Sequence, residues 1–260
     1  MRGGMSNEQI RKMGRFLRTA FAFKEIALAI LIAMVTRTAL ADQFYVPSGS
    51  MEPTLAIGDR LLVPKFSYGY SRYSLPDLFG TPALLPAATT RFLGTLPERG
   101  DVVVFRLPRD PKETYVKRVI GLPGDRVQMR SGHLWINGKE LALRPDGMGT
   151  LENEDGSLVE APRLAETLPD GREHPIFKMT WSGTLDDTEM FVVPAAHVFV
   201  MGDNRDNSLD SRVPREAGGV GYVPVENLIG PADVVLASWD LGGELRSQGI
   251  RFSRFFTRVR

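Results

Sequence analysis

Gly100-Asp101-Val102-Val103-Val104-Phe105 and, a few residues on, Tyr115-Val116-Lys117-Arg118-Val119-Ile120-Gly121-Leu122-Pro123-Gly124-Asp125 set the fold class. Val, Ile and Phe crowd into short runs closed by Gly, Pro or Asp, which is the pattern of β-strands. The pattern recurs at 191–193 and 198–201. Leu134-Trp135-Ile136, then Asn137-Gly138, then Lys139-Glu140-Leu141 predicts a hairpin closed by a type I′ turn. No long helical period interrupts these segments, which argues against a parallel α/β sheet. The expected fold is mainly β: a single N-terminal transmembrane helix, then a mostly antiparallel, barrel-like β domain carrying a smaller inserted β subdomain.

Outward toward the N-terminus, residues 1–24 hold Arg2, Arg11, Lys12, Arg15, Arg18 and Lys24 against one acid, Glu8. An uncharged run at 26–36 follows, and extended over 21–41 it approaches the roughly 20 residues that cross a bilayer. Lys24 and Arg37 can snorkel at its ends. The basic excess predicts that 1–20 stays in the cytoplasm. A cleavable export signal is the rival reading, because a basic segment, an apolar stretch and Ala39-Leu40-Ala41 also fit that template. The long basic segment and Arg37 favour a retained anchor.

The expected divisions beyond the anchor are a main β domain over 42–127 and 198–240, the inserted β subdomain over 128–197, and a basic amphipathic segment over 241–260. Residues 66–98, rich in Tyr, Pro and Leu, and 144–175, polar and dotted with Gly and Pro, read as rim loops. At the end, Phe252, Phe255, Phe256 and Val259 share one helical face, with Arg251, Arg254, Arg258 and Arg260 elsewhere. This predicts a helix that either rests on anionic lipid or packs its Phe face on the core.

Composition narrows the chemistry. The 260 residues hold 32 Lys+Arg and 31 Asp+Glu, a net charge of +1 that makes no electrostatic case for nucleic acid. Cysteine is absent, which removes disulfides, thiol nucleophiles and cysteine-based zinc sites. Three histidines, none in an H-E-x-x-H pattern, leave little for a metal centre or a histidine-based triad. No metal and no cofactor are expected.

Three polar segments interrupt the β background. Val46-Pro47-Ser48-Gly49-Ser50-Met51-Glu52-Pro53-Thr54-Leu55 sets a Ser-Gly-Ser turn between prolines that fix φ, a way of holding a hydroxyl rigidly. Lys117 sits within the apolar strand run quoted above, where its ammonium could be desolvated; it or its neighbour Arg118, on opposite faces, should point to water. Met201-Gly202-Asp203-Asn204-Arg205-Asp206-Asn207-Ser208-Leu209-Asp210-Ser211-Arg212 is dense in hydrogen-bonding side chains, but its spacing is not that of a calcium loop.

In order and spacing, these segments resemble the boxes of the bacterial type I signal peptidases, the membrane-bound serine endopeptidases that remove signal peptides from exported proteins. The resemblance covers residues about 20–235. It implies Ser50 as nucleophile and Lys117 as its general base. Ser48, with the Ser50 backbone N–H, would stabilise the oxyanion, Ser208 would orient the lysine amine, and Asp210 with Arg212 would be a supporting pair. It also implies secretory precursor proteins with small residues before the cut as substrates, and the outer face of the bacterial cytoplasmic membrane, with its phospholipid, as the place of action. The insertion over 126–201 is longer than a minimal catalytic domain needs. Rival readings fit less well. No G-x-S-x-G elbow surrounds Ser50 and no S-x-x-K occurs, which disfavours α/β-hydrolases and penicillin-binding enzymes. A self-cleaving repressor would carry a DNA-binding module where the anchor lies. A membrane-anchored β binding protein without catalysis is the alternative from another class.

Overall fold

The structure, a computed structural model, describes residues 24–29, 41–71, 73, 94–152, 157–240 and 249–259. The chain divides into two units, Met1–Leu40 and Ala41–Arg260. In the first, residues 24–29 are helical. The remainder of the expected span up to residue 40, and the basic segment 1–20, lie outside the described residues. Among the described residues no helix is long and apolar enough to cross a membrane.

The second unit is built of strands: β1 (Ala41–Tyr45), β2 (Asp59–Pro64), β3 (Val102–Leu107), β4 (Asp110–Gly121), β5 (Arg126–Arg130), β6 (His133–Ile136), β7 (Lys139–Glu140), β8 (Ala142–Glu152) and β9 (Leu158–Thr167). These are followed by β10 (Glu173–Phe177), β11 (Phe191–Val192), β12 (His197–Met201), β13 (Val223–Pro224), β14 (Leu228–Pro231), β15 (Val234–Asp240), β16 (Gly249–Ile250) and β17 (Thr257–Arg258). They form four sheets, in the orders β13-β12-β4-β3-β14, β1-β2-β15-β16 with β17 also on β15, β11-β5-β6-β7, and β10-β9-β8. All paired strands are antiparallel.

The continuous apolar run of β3 follows from its place between two cores. Val103, Phe105 and Leu107 pack with Val119, Val198 and Val200 on one side. Val102 and Val104 pack with Val46, Met51, Leu55 and Leu61 on the other. Each such side chain contributes about 1.5–3 kcal/mol by leaving water. The Asn137-Gly138 hairpin joins β6 to β7 as predicted, with φ of +52° and +80° at the two turn residues.

Two expectations are corrected. The described residues of 144–175 are not a loop: β8 and β9 pair along most of their length, and β10 extends the sheet. Pro145 and Gly147 disguise the strand because the register shifts between Pro145 and Met148, where Gly147 takes φ +86°. The described residues of 241–260 do not form an α-helix either. The described residues 249–259 form two short strands on β15 around a 3₁₀ turn at Phe252–Arg254. Arg254 is drawn onto the fully buried Asp59 by bonds of 2.9 and 2.5 Å, and Phe256 at φ +55° ends any helical course. Of the 66–98 segment, only 66–71, 73 and 94–98 are described.

Candidate active site

The serine turn hangs between two anchors in one core. Val46 enters it and is held to the loop before β2 by Val46 N–H to Asp59 O and Gly58 N–H to Val46 O, each 2.9 Å; Met51 and Leu55 leave it fully buried. Between them Gly49–Met51 form a single 3₁₀ turn. Its carbonyls are gripped by the third polar segment: Asn204 N–H donates to Ser50 O and Asn204 Nδ2 to Gly49 O, which also closes the turn by accepting Glu52 N–H, the two Asn204 bonds both 3.2 Å. Gly202 permits this approach. A Cβ there would lie 2.4 Å from Ser50 O and 2.2 Å from Ser208 Oγ, so no other residue fits without displacing the turn.

The turn presents the Ser50 hydroxyl to Lys117, whose Nζ lies 2.5 Å from Ser50 Oγ. Lys117 is 4% exposed, and its amine sits 5.6 Å from the centre of the Tyr115 ring. Burial pushes it down to about 8, and the Arg212 guanidinium pushes the same way, against the pull of the Asp210 and Asp203 carboxylates. A neutral amine at that distance can accept the hydroxyl proton.

Ser48 Oγ is 3.5 Å from Ser50 Oγ, on the exposed rim of the turn. Asp210 and Arg212 form a fully buried bidentate pair, Nε–Oδ1 and Nη2–Oδ2 both 2.9 Å. Asp210 also accepts the Gly202 N–H at 3.0 Å, and Arg212 donates to Arg205 O at 2.9 Å. The pair therefore stiffens the loop that grips the serine turn. Ser208 stands beside the same turn, but its hydroxyl makes no hydrogen bond of ordinary geometry; it lies near enough to Asp210 to help keep that acid ionised.

The expectation that Lys117 or Arg118 faces water is overturned: both are buried. Arg118 donates to Asp203 by Nε–Oδ1 at 2.8 Å and Nη2–Oδ2 at 2.6 Å, to Gly100 O at 2.7 Å and to Thr54 Oγ1 at 3.2 Å. Thr54 in turn donates to Asp203. Behind them, Arg205 pairs with Glu166 at 2.7 and 2.5 Å, and His174 lies between Glu166 and Asp203, at 3.2 and 3.6 Å. One buried network thus ties the serine segment, the lysine strand, the third segment and the β9–β10 pair. Thr54, Arg118, Asp203 and Arg205 were visible within the polar segments. Glu166 and His174 gave no signal, because their role arises from contacts far apart in the chain.

A cleft of about 660 Å³ opens over Ser50 and Lys117. Phe44, Leu61, Val104 and Val116 give it apolar walls, and Glu152 and Asn207 give it a polar side. Residues 110–117 of β4 pair with β3 alone among the described strands, since β12 meets β4 only at 118–121, so this stretch keeps an open edge. No cluster of metal-ligating side chains occurs among the described residues.

A β domain that holds a buried amine against a turn hydroxyl in an open cleft has the layout of a serine hydrolase without histidine. Comparison with known proteins narrows this further: residues 20–239 match the family described as signal peptidase, peptidase S26. The chain is 39% identical over 225 residues to signal peptidase I of Rickettsia akari, covering 82% of this chain and 80% of that protein. It is 40% identical over 229 residues to that of Rickettsia prowazekii, covering 84% and 82%. A solved signal peptidase I from Enterococcus faecalis aligns over 53% of this chain and 97% of its own, at 25% identity and a TM-score of 0.31. The chain belongs to the signal peptidase family, and is an enzyme of it.

Proposed function

We propose that this protein is a membrane-anchored endopeptidase that cuts signal peptides from exported precursors after small residues, with Ser50 as nucleophile and Lys117 as general base. The observation that carries the reading is the 2.5 Å contact between a buried, down-shifted amine and the Ser50 hydroxyl. Neutral Lys117 takes the proton as Ser50 Oγ attacks the scissile carbonyl. The Ser50 backbone N–H and the Ser48 hydroxyl stabilise the oxyanion; Ser208, whose hydroxyl makes no hydrogen bond to the amine here, acts on Lys117 only by way of Asp210, which it helps keep ionised. The ammonium then gives its proton to the leaving amine, an acyl ester remains on Ser50, and Lys117 draws a proton from the water that hydrolyses it. An extended substrate adds a strand to the open edge of β4 at 110–117, and the apolar walls take the small side chains. Residues 21–41 are the anchor, 1–20 are cytoplasmic and the catalytic domain faces the outer side of the inner membrane, in contact with phospholipid.

The test is cleavage of a precursor peptide with Ala at the first and third positions before the bond, against the same peptide with Leu there; equal rates on both would refute the small-residue reading. In the same assay kcat/KM should rise with pH and level off above about 8, because only the unprotonated amine is active and its folded value lies there. A profile flat from about pH 5 to about pH 10 would exclude Lys117 as base. Ser48→Ala should lower kcat by about 10²–10³-fold, the loss typical of one oxyanion donor, with KM little changed.

A further inference from the structure

The serine turn is held from behind by its own Glu52. The Glu52 N–H closes the turn on Gly49 O at 3.0 Å, and its buried side chain folds back over Gly49, where a Cβ would lie 2.9 Å from Glu52 Oε2 and 3.2 Å from Cδ. Glycine at 49 thus lets the carboxyl lie against the backbone one residue before the nucleophile. The same Oε2 accepts the backbone N–H of Glu152, the last residue of β8, at 3.2 Å. One carboxyl oxygen therefore meets both the turn that carries Ser50 and the end of a distant strand. Burial pushes this carboxyl up to about 7, against the Glu152 amide, which favours the ionised form; the Glu152 side chain adds to the push, and Arg251 and Arg254 oppose it. Both guanidinium groups are bonded elsewhere, Arg251 to Ile57 O, Ser238 Oγ and Trp239 O, and Arg254 to Asp59 and Thr54 O. Glu52 thus changes charge close to neutrality.

We propose that Glu52 is a positioning residue for the nucleophile: its carboxylate clamps the end of β8 onto the turn that carries Ser50, and uptake of a proton slackens the clamp and slows cleavage. The inference rests on the peptidase reading. An ionised carboxylate accepts an amide N–H in a shorter bond, roughly twice as strong as that to a neutral acceptor. Ionised Glu52 therefore holds the turn, and with it the Ser50 hydroxyl against Lys117, more firmly than the neutral form does. The charged groups that shift Lys117 itself are Asp210, Asp203 and Arg212, so Glu52 acts on the dyad through the turn and not through its field. A packing role alone would be indifferent to the Glu52 proton.

The experiment compares the wild type with Glu52→Gln, each as the full chain in detergent, on one precursor peptide across pH, by kcat/KM. Gln is neutral, matches Glu in size and keeps an acceptor oxygen, so it stands for the protonated form. The two proteins should cleave at similar rates near about pH 5.5, and the wild type should lead by roughly tenfold near about pH 9, the difference between a charged and a neutral acceptor. The rise near 8 that belongs to Lys117 should stay in place in the variant. A ratio of the two rates that is constant across pH, or a variant inactive at every pH, overturns the inference while cleavage by the wild type upholds the peptidase reading. Failure of the wild type to cleave at any pH overturns that reading and the inference with it. A second pair of variants tests the contact itself. Gly49→Ala should lower kcat several-fold in the wild type, where its Cβ meets the carboxyl, and much less in a Glu52→Ala background; equal losses in both would overturn the clamp.

Discussion

Ser50→Ala and Lys117→Met are each expected to lower precursor cleavage by about 10⁴-fold or more, with the unfolding transition of the domain retained. The first removes one oxygen from a turn held by the burial of Val46, Met51 and Leu55 and by Asn204, whose bonds go to backbone carbonyls and not to the lost hydroxyl. The second replaces a buried amine by an apolar side chain of similar length, and burial of that amine already disfavours its charged form. The sign of the linked stability follows. A lysine whose folded value is about 8 destabilises the fold while charged, and this cost is relieved as pH rises from about 8 toward the ordinary lysine value near 10.4. Lys117→Met should therefore remove that pH-dependent part of stability. The two residues act as one unit, so the double variant should be no slower than either single one. Losses that multiply in the double variant, measured by cleavage of a fluorogenic precursor peptide, would mean that the hydroxyl and the amine serve separate steps.

Much of this arrangement was legible in the chain. The β class followed from the short Val-rich runs, and the hairpin at Asn137-Gly138 from a turn whose two φ angles must be positive. The three polar segments stood out because polar residues of fixed spacing interrupted apolar runs. Misreadings arose where local pattern and tertiary contact disagreed. The 144–175 segment looks like loop by composition, yet a single bulge at Gly147 lets Pro145 sit in an edge strand. The Phe and Arg spacing near residue 254 suits a helix, but Arg254 is bound to Asp59, nearly two hundred residues earlier, and pairing on β15 takes the backbone. Strand alternation placed one of Lys117 and Arg118 in solvent, and missed that Arg118 is buried because its partner Asp203 lies eighty-five positions away. Period-two logic says which face a side chain takes, and says nothing about what waits on that face.

That hidden partnership carries the largest expected effect on stability. Asp203 is fully buried and held below the usual carboxylate range: burial alone would raise it, and Arg118 above all, helped by His174 and Thr54, overrides burial. Removing either partner leaves the other charged and dry, a loss of about 3–5 kcal/mol, whereas removing both with apolar groups spares most of it. Asp203→Leu and Arg118→Met should each lower the urea midpoint strongly, and the double variant should recover a large part of the sum, the remainder reflecting the bonds to Thr54 and Gly100. The pH dependence has the opposite sign to that of Lys117. A carboxylate depressed in the fold stabilises it above the ordinary Asp value of about 3.9 and gives that stability up as pH falls through its folded value. Asp210 and Glu166 are depressed in the same direction, by Arg212 and Arg205 prevailing over burial. Acid should therefore loosen the three segments together, and the Asp203→Leu/Arg118→Met protein should lose less stability between about pH 6 and about pH 3 than the wild type. Since Asp203 also pulls the Lys117 value upward, its loss should move the rise in kcat/KM to lower pH. Single variants as stable as the wild type, or a double variant that loses the full sum, would show that packing and not the Arg118–Asp203 pair binds the lysine strand to the serine turn.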